Sequence, residues 1–225
     1  MCNLYSVTTN QEAIRRLFSV ETVHVGNLPL LPEVFPGQDA PVVRRDRDGR
    51  RELVMLRWGF VLPQHGRAPK DVTNARADKV SVSGFWRDSF RERRCLVPVT
   101  RFCEWTDAPD PRTRRKAKVW FALNSDEQEG AEPPFAFAGL WRSWRGHYRD
   151  EPVSWDVFAF LTVPPNDLVR PVHAKAMPVM LTANDFDRWI DGGPEDALDL
   201  AKPFPADRMR RLDPDPPPDQ QGLLL

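Results

Sequence analysis

From Arg94 onward the chain is written in short aromatic and β-branched runs: Arg94–Val97, Phe102–Trp105, Lys118–Leu123, Phe135–Trp141, Trp155–Val163 and Met177–Leu181. Pro, Gly and acidic clusters separate them, and none is long enough to make a stable helix by itself, so they read as strands. Upstream, Pro41–Arg45 and Glu52–Trp58 read as two more, around the turn Asp46-Arg-Asp-Gly49. Helical periodicity is confined to three places. Gln11–Val20 carries Ile14, Leu17 and Phe18 on one stripe behind a Thr9 or Asn10 cap; Val82–Phe90 is a short candidate; Ala183–Ile190 follows a Thr182-x-x-Asp185 start. Roughly eight strands and three or four short helices predict an α+β fold, a single domain with an antiparallel, barrel-like sheet.

With 225 residues, 41% of them hydrophobic, one substantial core is expected. No repeat or linker divides the chain, which predicts one domain over residues 1–212. Beyond it, Asp213-Pro-Asp-Pro-Pro-Pro-Asp-Gln-Gln opens a tail, 213–225, expected to be disordered. The N-terminal stretch has no basic segment followed by a long apolar run, so no signal peptide and no membrane span are expected, and the predicted location is cytoplasmic, nucleoid-associated when DNA is bound. Three cysteines without framework spacing fit a reducing compartment. The formal net charge of zero is polarised: residues 1–118 hold 22 Lys+Arg against 14 Asp+Glu, and 119–225 hold 10 against 18. A basic first half suits phosphate contacts, and the acidic second half argues against indiscriminate coating of duplex DNA. The stretch Arg112–Lys118 has a plain alternative as a solvated loop or strand edge.

Cys2 is the most distinctive chemical position. If Met1 is removed, it carries an α-amine and a thiol on neighbouring carbons, and such a 1,2-aminothiol traps an aldehyde as a five-membered thiazolidine. The α-amine, with a reference pKa of about 7.7–8.0, is partly neutral near pH 7, where a lysine is not. Three further segments place polar groups where a pure core would not want them: Asp71–Asp78, which has neither helix nor strand period, Arg94–Trp105 with Glu104 between Cys103 and Trp105, and Val172–Val179 with His173 ahead of an apolar run. Glu104 could move protons at an amine, or sit on the solvent face of an edge strand. His173 could protonate a leaving oxygen or be a structural histidine. Asn74 could orient a reacting group and Arg76 could clamp a phosphate, or both could belong to a surface turn. The segment Gln64–Lys70, with Arg67 and Lys70 and following Trp58-Gly59-Phe60, reads as a mobile loop facing DNA.

Taken in order, Met1-Cys2, Pro36-Gly37-Gln38, Trp58-Gly59-Phe60, Asn74-Ala75-Arg76-Ala77-Asp78, Arg94-Cys-Leu-Val-Pro98, Phe102-x-Glu104-Trp105, Ala138-Gly139-Leu140-Trp141, Phe160–Val163 and His173-x-x-x-Met177-Pro178-Val179 resemble the SOS response-associated peptidase (SRAP) family of abasic-site processing proteins. The resemblance implies a protein that binds single-stranded DNA and crosslinks its N-terminal cysteine to the ring-opened aldehyde of an abasic site, with lyase and autopeptidase-type activity. It implies that Cys2 is the nucleophile, Asn74 positions it, Glu104 shuttles protons and His173 assists ring opening and reversal. Arg76, Trp58, Arg67 and Lys70 are then expected at the DNA. No cofactor and no metal are expected, and the protein is expected to act as a monomer.

The chain also departs from that pattern. Asn3 and Leu4 stand where Gly-Arg is common in the family, Cys103 replaces a usual aromatic, and Ala174-Lys175-Ala176 fills a spacer where a polar pair is common. Two other classes compete: an N-terminal-cysteine amidohydrolase of the class II glutamine amidotransferase type, whose downstream glutamine-pocket motifs are not found here, and a non-catalytic single-strand binder, which would not need Cys2. A zinc site from Cys2, Cys95, Cys103 and a histidine lacks the usual ligand spacing.

Overall fold

The computed structural model describes residues 2–106, 109, 114–125, 132–149 and 151–212. The expected tail, 213–225, lies outside them, as do the first two residues of the Arg-rich stretch.

A five-stranded ring forms the centre. The long strand Phe135–Tyr148 pairs antiparallel with Glu151–Val163 on one side and Arg94–Val99 on the other. Arg94–Val99 meets Asp39–Arg45, which pairs with Arg51–Trp58 across the Asp46 turn. The ring closes because Arg51–Trp58 runs parallel to Glu151–Val163, with Arg57 opposite Val157 and Trp58 opposite Phe158. Closure removes the free edges that an open sheet would expose. An aromatic cluster fills the interior beside this seam: Phe137 and Phe160 lie 4.5 Å apart, Trp58 and Phe160 5.2 Å, and Tyr5 and Trp58 5.1 Å, all four fully buried.

A second, five-stranded antiparallel sheet supplies the N-terminus. Tyr5–Val7 lies between Leu31–Val34 and Arg101–Trp105, and Lys118–Leu123 and the edge strand Met209–Arg211 follow. The early helix spans Gln11–Leu17, and the Asn10 side chain caps it by accepting from Ala13 N at 2.9 Å. The Thr182 start also forms: Asp185 Oδ2 accepts from Thr182 N at 3.0 Å, ahead of helix Phe186–Asp191. Among the described residues, no helix is long and apolar enough to cross a membrane.

Four local expectations are corrected. Val82–Phe90 is no single helix; helices Ala77–Val80 and Arg87–Glu92 flank a turn, because Ser81, Ser83 and Gly84 favour turns over helical propagation. Met177–Leu181 splits at Val179, where the chain changes partner: Met177–Pro178 pairs with Glu151–Val163, Met180–Leu181 pairs with Phe135–Tyr148, and Val179 itself donates to Leu161 O at 2.9 Å and accepts from Ala138 N at 3.0 Å. The expected loop Gln64–Lys70 belongs to the β-hairpin Phe60–Gln64/Arg67–Val72, turning at Gly66 with φ +66°. The polar segment Asp71–Asp78 contains the strand Asn74–Arg76, parallel to Phe160–Thr162.

Candidate active site

Cys2 is fully buried just before the strand Tyr5–Val7. Antiparallel pairing with Arg101–Trp105 sets its surroundings, since Cys103 N donates to Leu4 O at 2.9 Å. The Cys2 thiol lies 3.4 Å from Leu4 O and 3.7 Å from Cys103 O, both of which can accept its proton in a weak hydrogen bond. Glu104, 1% exposed, follows Cys103 directly. Burial first, and then the neighbouring Glu104 carboxylate, push the Cys2 thiol well above its ordinary pKa, so it rests protonated.

Asn74 reaches the same place from the strand Asn74–Arg76, which continues the barrel seam along Glu151–Val163. Its Nδ2 donates to Cys2 O at 3.0 Å and to Thr73 Oγ1 at 2.9 Å, and two acceptors on that atom fix which end of the amide is nitrogen. Asn74 Oδ1 is buried and has no hydrogen-bond partner. A buried acceptor left in this state is costly. Thr73, which the sequence pattern did not single out, therefore matters twice: its hydroxyl holds the Asn74 amide, and its carbonyl accepts from Trp58 Nε1 at 3.0 Å. Tyr5 Oη is a second buried polar atom without a partner, and burial raises its pKa, with Cys2 the next largest influence.

The strand Glu151–Val163 organises the rest. At Phe160–Thr162 one edge carries Asn74–Arg76, and at Thr162–Val163 the other carries Met177–Pro178. His173, half-buried, lies on the segment entering Met177–Pro178. The structure thus brings Cys2, Asn74 and Glu104 together, and places Arg76 and the His173 segment about the end of a shared strand. Arg76 is exposed and donates through Nε and Nη2 to the two carboxylate oxygens of Asp78, at 2.9 and 2.8 Å. A cavity of about 670 Å³ opens beside it, lined by Thr162, Val163, Pro164, Lys175 and Ala176 among others.

Of the four residues expected at DNA, Trp58 is corrected: it is fully buried, stacked on Phe160 and bonded to Thr73, so it braces the site from beneath. Arg67 and Lys70 are exposed on the hairpin Phe60–Gln64/Arg67–Val72. That hairpin is tied to the barrel by Arg57, which donates to both Asp71 oxygens at 3.0 and 2.8 Å, and by Tyr148 Oη, which lies 3.0 Å from Asp71 Oδ2.

Fold and site together define a closed β-barrel protein whose second residue is a buried cysteine, bonded to an asparagine of one strand and lying in the field of a glutamate of another. The family model for SOS response associated peptidase (SRAP) matches residues 1–213, and the chain belongs to that family. It is 27% identical over 215 residues to the abasic site processing protein YoqW of Bacillus subtilis, covering 93% of this chain and 90% of that one. It is also 27% identical over 181 residues to YoaM of Bacillus subtilis, another abasic site processing protein, with 78% and 74% covered. A crystal structure of a Bordetella bronchiseptica protein superposes with a TM-score of 0.71 at 25% identity, covering 93% of this chain and 98% of that one. A Bacteroides thetaiotaomicron structure shares the fold with a TM-score of 0.72 at 22% identity, covering 93% and 90%.

Proposed function

We propose that this protein captures abasic sites in single-stranded DNA as a covalent thiazolidine on Cys2. The observation that carries the proposal is the convergence of Asn74 and Glu104 on Cys2, in a family whose curated relatives are named for abasic-site processing. Removal of Met1 frees the α-amine; until then that nitrogen is an amide whose lone pair is delocalised. The amine adds to the aldehyde carbon of the ring-opened sugar and water leaves, giving an imine. The thiol sulfur then adds to the same carbon, its proton ending on nitrogen. Because the thiol rests protonated, the amine acts first, and Glu104 is the base positioned to relay the proton between sulfur and nitrogen.

Asn74 Nδ2 fixes the Cys2 carbonyl, and its unpartnered Oδ1 is available to the freed amine. His173 supplies the proton that opens the deoxyribose ring and, in reverse, assists release; lyase and autopeptidase activities would draw on the same carboxylate and imidazole. Arg76 holds a phosphate by exchanging its exposed Asp78 partner, a surface ion pair of the weakly stabilising kind.

The test is incubation with single-stranded DNA containing one abasic site, read as a heat-stable shifted band. Wild type, Cys95→Ser and Cys103→Ser should form it and Cys2→Ala should not. A stable band from Cys2→Ala would overturn the proposal, and so would none from folded wild type whose chain begins at Cys2.

A further inference from the structure

The cavity beside Arg76 differs in character from the cysteine site. Its walls are mostly apolar: Ala77, Val163, Pro164, Ala176, Leu198 and Ala201 line it beside the carboxylate of Asp78, and among the described residues no aromatic side chain does. Its volume, about 670 Å³, is in the range of pockets that enclose a small organic molecule. Lys175 contributes to its lining, is exposed, and has no ion-pair partner among the described residues. An unneutralised ammonium at an apolar pocket fits a ligand with a flat apolar body and an attached anion. Arg76 on the same lining adds a second cation whose exposed carboxylate partner is readily exchanged.

The register connects this cavity to Cys2. Asn74 and Arg76 are two residues apart on one strand, so their side chains project to the same face about 7 Å from one another. Asn74 is bonded to Cys2, and Arg76 lines the cavity. A DNA strand whose sugar is fixed at Cys2 therefore brings its next nucleotide to the cavity.

We propose that the cavity is a nucleobase subsite: it receives the base of one nucleotide flanking the abasic site, with Lys175 and Arg76 on the adjoining phosphate. The inference rests on the abasic-site reading above. It makes the protein a reader of sequence context, because a purine fills more of an apolar pocket than a pyrimidine, and a second abasic residue fills none of it.

The experiment uses single-stranded oligonucleotides with one abasic site, flanked on the 5′ or the 3′ side by adenine, cytosine or tetrahydrofuran, a stable residue without a base. Crosslinking at sub-saturating protein should slow about tenfold when tetrahydrofuran replaces adenine on one flank, and little on the other, the effect of leaving roughly 55 Å² of apolar base surface in water. Ala176→Trp, which fills the cavity, should abolish that difference, and Lys175→Gln should weaken binding to every oligonucleotide while retaining it. Thermal melting verifies that both variants fold.

A binding arm separates failure of this inference from failure of the crosslinking reading. With 2-aminopurine beside a tetrahydrofuran site no covalent step is possible, and the base should brighten several-fold on binding to wild type, since it leaves its stacked neighbours for a cavity without aromatic walls. It should not brighten on binding to Ala176→Trp. Flank-independent crosslinking together with unchanged 2-aminopurine emission would overturn the nucleobase subsite and leave Cys2 capture standing. Brightening without crosslinking would overturn capture and retain the subsite.

Discussion

Cys2 and Cys95 are both fully buried, and burial raises the pKa of both thiols, yet their surroundings are opposite in kind. Cys95 sits in the barrel wall opposite Gly139, so close that a β-carbon on that glycine would lie 2.6 Å from its sulfur. Its carbonyl accepts from Trp189 Nε1 at 2.9 Å, and its sulfur packs among apolar neighbours. Around Cys2 the burial is just as complete, but a carboxylate adjoins the thiol, an amide holds the carbonyl, and two buried polar atoms, Asn74 Oδ1 and Tyr5 Oη, lack partners. Burial alone makes an inert thiol. What distinguishes the region around Cys2 is polar company that the fold keeps at a cost in stability.

That contrast can be broken most decisively at Cys2, where replacement by alanine should remove the stable DNA adduct entirely and leave thermal stability within about 2 kcal/mol of wild type. Next in size is Glu104→Gln, which should slow crosslink formation by about 10²–10⁴-fold in single-turnover kinetics. A rate equal to wild type in the folded variant would return Glu104 to a structural role. In the barrel wall the effects should reverse: Gly139→Ala drives a methyl group into Cys95 and Val97, and should cost about 1–3 kcal/mol in denaturant unfolding while surviving folded protein crosslinks at the normal rate.

The smallest effect, taken per unit of pH, is a pH dependence. Burial pushes the Cys103 thiol up to about 12, above its unfolded value near 8.5. The folded chain therefore holds a proton that the unfolded chain loses. The associated stability is complete below about pH 8.5 and declines as pH rises toward 12, by at most about 1.4 kcal/mol per unit for this thiol. Cys103→Ala should flatten the alkaline limb of a stability-against-pH curve; an unchanged slope would mean that Cys103 does not contribute to it.

Local chemistry was legible in the sequence wherever neighbours in the chain decide the outcome. Lys118–Leu123 forms with the expected bounds, Asn10 caps the first helix, and Asp185 answers Thr182. What was hidden is non-local. The parallel pairing of Trp58 with Phe158 that closes the ring has no signature in either strand, and it is the barrel interior beside this seam that places Trp58 beneath the site and not at the DNA. Asn74–Arg76 is polar and three residues long; only the edge of Glu151–Val163 makes it a strand. Of the site, Cys2, Asn74 and Glu104 could be singled out because each is polar where a core would be apolar. Thr73 and Lys175 could not, since their significance depends on what the fold sets beside them.

The central claim is that amine and thiol of one residue act on one carbon, and the mass spectrum of the crosslinked N-terminal peptide tests it directly. The predicted product is a peptide beginning at Cys2, heavier by the sugar remnant less one water, unaltered by borohydride and absent from protein that retains residues ahead of Cys2. A durable adduct on a peptide still carrying Met1, or on a lysine, would contradict it.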